Sequence, residues 1–199
     1  MEPPFAKASA YGSYQGGLRD LVHMLKYHRV RSAANVLGRM LSEVVASLEP
    51  SFGDAHLLVV PVPLHRAKAR HRGFSQSELI AQAGLKLSPS RDRYALRAEG
   101  LERVRDTQPQ TGLTRHQRGE NVRGAFRVKH PEEVSGREIL LVDDVFATGT
   151  TVSECARILR RAGAARVWVA TVVRTLKSDV QHAHLEPDAD ANLTMAAHG

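Results

Sequence analysis

Apolar positions along this 199-residue chain change their period several times, and each change marks an element. Leu18, Leu21, Val22 and Leu25 stand at i, i+3, i+4 and i+7, the spacing of one helix face. Val36, Leu37, Met40, Leu41, Val44, Val45 and Leu48 repeat that period and predict a second helix. Next comes HLLVVPV at 56–62, a continuous run rich in β-branched residues, as expected of a strand buried on both faces of a parallel sheet. Ser75 and Glu78 then have capping-box spacing and open a helix expected to reach about residue 87. Short strands are expected at 94–97, 101–104 and 125–128, with a polar loop at 105–121 between the last two. A clear strand at 138–142 follows, then a turn, a helix over 151–162, Gly163 as its C-cap, and a strand at 166–173. Residues 1–17 read as an irregular entry or an edge strand near 10–14, and the aperiodic, apolar-poor tail 176–199 reads as flexible. Alternating strands and helices predict an α/β fold with a mainly parallel, twisted sheet covered on both faces.

Length and charge narrow the class. The chain is long enough for one substantial domain and a small appendage. Its formal net charge of +7 favours a polyanionic partner. Residues 62–130 hold 15 Lys or Arg against 6 Asp or Glu, so the anion is sought in that middle third. A single cysteine, Cys155, allows neither an internal disulfide nor a Cys-based zinc site, and it fits a reducing, cytoplasmic setting. No signal-like start and no apolar window of about 20 residues is present, so membrane insertion is not expected.

The stretch EILLVDDVFATGTTVSE, residues 138–154, concentrates the chemistry. In open α/β sheets ligands bind beyond the carboxyl ends of the strands, where loops meet helix N-termini. Ala147, Thr148, Gly149, Thr150 and Thr151 are small or hydroxylic, so backbone N–H groups can close around a phosphate at the positive end of the next helix. Neither the Gly-Lys-Ser/Thr ending of the triphosphate loop nor the three spaced glycines of the dinucleotide fingerprint is present. Asp143 and Asp144 would repel that phosphate if they faced it, and are better matched to vicinal sugar hydroxyls. A 5-phosphorylated ribose satisfies both groups. The plainer alternative is a solvated turn with a helix cap.

ILLVDDVFATGTT closely resembles the phosphoribosyl-pyrophosphate motif of type I phosphoribosyltransferases. With LVHMLKYHR, VVPVPLHRAKARHRGFSQSELIA and DTQPQTGLTRHQRGENVRGAF, the resemblance is to the ComF family and covers most of residues 11–175. It implies a type I phosphoribosyltransferase fold with residues 1–50 as a hood or cover, 51–175 as the core, and a lid at about 105–121. Asp143 and Asp144 would bind ribose and Mg²⁺, and Ala147 to Thr151 the 5-phosphate. Arg66, Arg70 and Arg72 would take the pyrophosphate, arginine being suited to bidentate phosphate contact. Asp106, Thr107, Gln108 and Arg118 would be the working residues of the lid. The implied reaction transfers 5-phosphoribosyl from phosphoribosyl pyrophosphate to a nitrogen nucleophile, with Mg²⁺ as cofactor. Many relatives carry Thr where Ala147 stands, and those that salvage 6-oxopurines carry Asp there, so hypoxanthine and guanine are disfavoured as acceptors. Members often carry an N-terminal four-cysteine zinc module; this sequence has none, so either the module is absent or the sequence begins after it.

Two other functions stay open at this level. One is a non-catalytic accessory of the competence machinery that holds single-stranded DNA on the basic middle third, although aromatic residues for base stacking are not interleaved there. The other is a sensor that binds phosphoribosyl pyrophosphate without turnover. An oligomer is compatible with either. Lys26 and His28 read as cations complementing a helix end, and Cys155 and Trp168 as core.

Overall fold

The computed structural model describes residues 2–107 and 113–175. Five strands form a central sheet in the order β1-β7-β6-β2-β3, every neighbouring pair parallel. They are β1 (Lys7–Ser13), β2 (Leu57–Pro61), β3 (Tyr94–Leu96), β6 (Glu138–Phe146) and β7 (Arg166–Arg174). β4 (Leu101–Arg103) and β5 (Phe126–Val128) pair antiparallel as a separate ribbon. The helices are α1 (Gly16–Lys26), α2 (Ala33–Phe52), α3 (Arg66–Arg72), α4 (Gln76–Leu87), α5 (Arg115–Val122), α6 (Pro131–Val134) and α7 (Thr150–Arg161).

Strand pleating distributes the core over two faces. Leu140, Val142 and Trp168 pack with Leu37, Leu41 and Leu48 of α2 and Ile80 of α4. Ile139, Leu141, Val167 and Val169 pack with Val152, Cys155 and Leu159 of α7 and with Phe126 of the ribbon. β2 is buried along its whole length, which is why it reads as an unbroken apolar run. On the first face α2 and α4 touch backbone to backbone. A Cβ at Gly38 would stand 2.5 Å from the Ala83 Cβ and 2.9 Å from the Gly84 nitrogen, so glycine there is a packing requirement.

The α/β class, the parallel sheet and the order of its main elements agree with the sequence pattern. The structure differs in three places here, and in a fourth at the end of β6, described below. Residues 66–72, expected as a basic loop, form α3, with His65 as N-cap and Gly73 closing the helix at φ +79. The polar loop expected at 105–121 contains α5, whose N-cap Thr114 and N3 Gln117 form a reciprocal capping box. The expected cover at 1–50 divides: β1 is a sheet strand and α2 a face layer, leaving α1 beside the carboxyl ends of the strands. The tail 176–199 lies outside the described residues.

Candidate functional site

β6 continues four residues beyond the apolar run, to Phe146, because β7 runs alongside it and supplies ladder partners for Asp143, Val145 and Phe146. Both aspartates therefore lie in the strand, Asp143 registered with Thr171, and alternation sends them to opposite faces. This corrects the reading that placed them in a turn after residue 142. Asp144 follows Leu140 and Val142 toward α1, where its Oδ2 lies 2.8 Å from Lys26 Nζ. Only 6% of Asp144 is exposed. Burial pulls the Lys26 ammonium down, but the adjacent Asp144 carboxylate outweighs it and holds the pKa above the ordinary lysine value.

Asp143 has neutral partners. Its Oδ1 accepts from the Ser77 hydroxyl at 2.9 Å and from the Asp144 backbone N–H at 2.9 Å. Burial, reinforced by the charge of Asp144 and opposed in part by the Lys26 ammonium, pushes its carboxyl up to about 7. Three buried polar atoms near this end of the sheet find no hydrogen-bond partner among the described residues: Thr171 Oγ1, Gln76 Oε1 and Arg103 Nε. The Arg103 guanidinium stacks 5.4 Å from the Phe126 ring centre and donates to the Thr107 hydroxyl. Its burial lowers its pKa, opposed in part by Asp143.

The turn into α7 is set by Gly149, the N-cap, at φ +73. A Cβ there would be strained and would stand 2.8 Å from the Phe146 ring. Thr148 and Thr150 hydroxyls meet at 3.0 Å, and Thr175 donates to the Ala147 carbonyl at 3.3 Å, which fixes the loop on β7. Ala147 to Thr151 are each half-buried, around a helix N-terminus whose first N–H groups lack intrahelical partners.

The basic residues are more engaged than a solvated loop would be. Arg66 donates to Glu102 at 2.5 Å, and Arg127 binds the other Glu102 oxygen at 2.7 Å, so α3 is tied to the ribbon. Arg72 lies 5.5 Å from the centre of the Tyr27 ring, while Arg70 is exposed. The turn after α1 clasps the turn after α3: Arg29 donates to the His71 carbonyl at 2.6 Å and Arg31 covers Phe74 at 5.3 Å. Of the expected lid residues, Asp106 is exposed with an oxygen 3.8 Å from His65 Nδ1, and Thr107 is buried. Arg118 sits in α5 and donates to the Leu113 carbonyl, and Gln108 lies outside the described residues.

Sequence reasoning did not single out Lys26, Ser77 or Arg103 as site residues. Ser77 and Arg103 carry no local signal. Lys26 was visible only as a cation at a helix end. Among the described residues no group of three or more His, Cys, Asp or Glu is arranged to hold a metal ion.

A parallel sheet whose central strand ends in two carboxylates and a Thr-Gly turn at a helix N-terminus defines a type I phosphoribosyltransferase-like protein. A family model for the phosphoribosyl transferase domain matches residues 97–192. DNA utilization protein YhgH of Escherichia coli K12 is 36% identical over 176 residues, covering 87% of this chain and 74% of that protein. Competence protein F of Haemophilus influenzae is 30% identical over 180 residues, covering 87% and 75%. Competence protein ComFC of Bacillus subtilis is 25% identical over 164 residues, covering 82% and 62%. The chain belongs to the ComF family of phosphoribosyltransferase-like proteins. Among solved structures, the protein TT1426 from Thermus thermophilus is 16% identical, with a TM-score of 0.41 over 81% of this chain and 94% of the other.

Proposed function

We propose that this protein binds phosphoribosyl pyrophosphate and transfers its 5-phosphoribosyl group to a nitrogen nucleophile, releasing pyrophosphate. The observation that carries this reading is the juxtaposition on β6 and α7: two adjacent carboxylates at the end of β6, then a half-buried threonine-rich turn with Gly149 held at positive φ. The carboxylates suit the 2- and 3-hydroxyls of ribose, and the turn suits the 5-phosphate. Thr148, Thr150 and Thr151 add hydroxyl donors; Ala147 offers backbone only. Of the arginines, exposed Arg70 is the candidate for the pyrophosphate with no ion pair to break; exposed Arg66 would reach it by leaving Glu102, and half-buried Arg72 by leaving Tyr27.

Asp143 and Asp144 would hold Mg²⁺, directly or through water, as magnesium is commonly bound through one or two carboxylates plus substrate phosphates. When bound, it supplies charge stabilisation to the leaving pyrophosphate. The cover expected at 105–121, of which 108–112 lie outside the described residues, would exclude water from the reacting carbon.

Calorimetric titration of phosphoribosyl pyrophosphate with Mg²⁺ into the wild type and into Asp143→Asn/Asp144→Asn tests the reading. Binding by the wild type that the double variant lacks is expected. No binding by the folded wild type overturns it.

A second reading is an accessory role in DNA handling, through single-stranded DNA held on the basic middle third. The names of the relatives, DNA utilization and competence proteins, favour it. So does the exposure of Arg66, Arg70, His71, Arg91 and Arg127. Oligonucleotide binding that falls steeply with salt and is indifferent to the aspartates would support it.

A further inference from the structure

Lys26 poses a problem that stability alone does not answer. Removing an ammonium and a carboxylate from water costs about as much as their attraction returns, so a buried pair is weak evidence of a stabilising device. A cation that served only the dipole of α1 would need no more than a surface position near the helix end. Lys26 instead turns inward from the last residue of α1, with 19% of its side chain exposed, to an aspartate 118 positions later. An aromatic frame flanks it. His23 Nε2 and the Tyr14 hydroxyl lie 2.9 Å apart, the His23 and Tyr27 rings meet edge-on at 5.2 Å, and both tyrosines lie close enough to act on the ammonium electrostatically.

The two carboxylates are thus unequal. Asp143 is held by a hydroxyl and a backbone N–H, neither of which carries charge. Asp144 has one oxygen taken by a full positive charge. From this geometry we infer that Lys26 is the positioning residue of the ribose site: it fixes the Asp144 carboxylate and supplies its counter-charge, so that the remaining oxygen is presented to a sugar hydroxyl. Lys26 itself touches no ligand, and the assignment rests on the function proposed above. The α1 segment is then part of the site, and a disturbance of α1 is felt as lost affinity for the phosphoribosyl ligand.

If Lys26 acts through Asp144, removing either should do the same damage, and removing both should do no more. Titration of phosphoribosyl pyrophosphate with Mg²⁺ into wild type, Lys26→Met, Asp144→Asn and Lys26→Met/Asp144→Asn separates the cases, with folding followed by circular dichroism. Each single change is expected to weaken binding about tenfold or more, and the double variant should stay within about threefold of the weaker single instead of losing about a hundredfold. Lys26→Arg, which keeps the charge, should recover most of the affinity that Lys26→Met loses. Unchanged binding by folded Lys26→Met, or multiplicative losses, overturns the inference while leaving the proposed function intact. Absence of binding by folded wild type overturns both. Should Lys26→Met fail to fold, the double variant, which buries no unmatched charge, decides alone: affinity equal to that of Asp144→Asn supports the inference, and a further tenfold loss overturns it.

Discussion

The two sides of β6 at residues 143 and 144 differ sharply. On the α1 side a carboxylate faces an ammonium at 2.8 Å. On the other side its neighbour faces a serine hydroxyl, a lone threonine hydroxyl and a partly satisfied arginine, and its carboxyl is pushed up to about 7. One residue of chain separates them, and the pleat does the rest. A carboxylate paired with a cation at 2.8 Å and one whose hydrogen bonds come from neutral groups obey opposite rules. Breaking the first is destabilising, whereas neutralising the second is a relief.

The largest effect is expected on the matched side. Lys26→Met leaves the Asp144 carboxylate buried without its cation, a change that typically costs about 3–5 kcal/mol. Urea unfolding of the two proteins at pH 7 measures it. A cost under about 1 kcal/mol, the range of an exposed pair, would mean that water reaches Asp144 freely and that the contrast between the sides is false.

The unmatched side should respond with the opposite sign. With its pKa raised from the ordinary 3.8 to about 7, native Asp143 keeps a proton between those values that the unfolded chain has already lost. Stability is therefore greatest with respect to this group below pH 4, falls as pH rises toward 7, and levels off above it. Asp143→Asn keeps an acceptor for Ser77 and removes the charge. Its thermal midpoint should exceed that of the wild type by about 3–5 °C at pH 8, and the gap should close toward pH 4. A gap that widens on acidification would put the counter-charge on Asp143 and reverse the comparison.

The contrast also explains what could be read in advance. β2 and the first half of β6 were legible because burial on both faces leaves an unbroken apolar run at 57–61 and 139–142. The second half of β6 was not, since aspartates are poor strand formers and the pairing that overrides them comes from β7. α3 has no buried residue, so no apolar period announces it; its caps at His65 and Gly73 are the remaining local signal. α5 is equally polar, but Thr114 and Gln117 have the capping-box spacing and could have been read. The acidic pair and the threonine turn were visible because their chemistry is contiguous in sequence. Lys26 was visible only as a helix-end cation, because the charge it answers lies on another element and no local pattern encodes that meeting.

The smallest effect sharpens the unmatched side. Ser77 donates to Asp143 Oδ1 at 2.9 Å, and that bond favours the ionised form of the carboxyl. Ser77→Ala removes a donor whose acceptor is neutral below the raised pKa and charged above it. A hydrogen bond to a neutral group contributes about 0.5–1.5 kcal/mol and one to a charged group about 1.5–3 kcal/mol. The cost of Ser77→Ala should accordingly be about 1 kcal/mol at pH 5 and about 2 kcal/mol at pH 8, read from chemical denaturation at the two pH values. The sign follows from linkage: without Ser77 the native pKa of Asp143 rises further, and the native state is penalised more wherever the group must ionise. Equal costs at the two pH values would mean that Asp143 is already charged at pH 5 in the folded protein, because the nearby Lys26 and Arg103 cations outweigh its burial. Arg103, whose Nε lacks a hydrogen-bond partner, is the cation that would then bond this carboxylate directly.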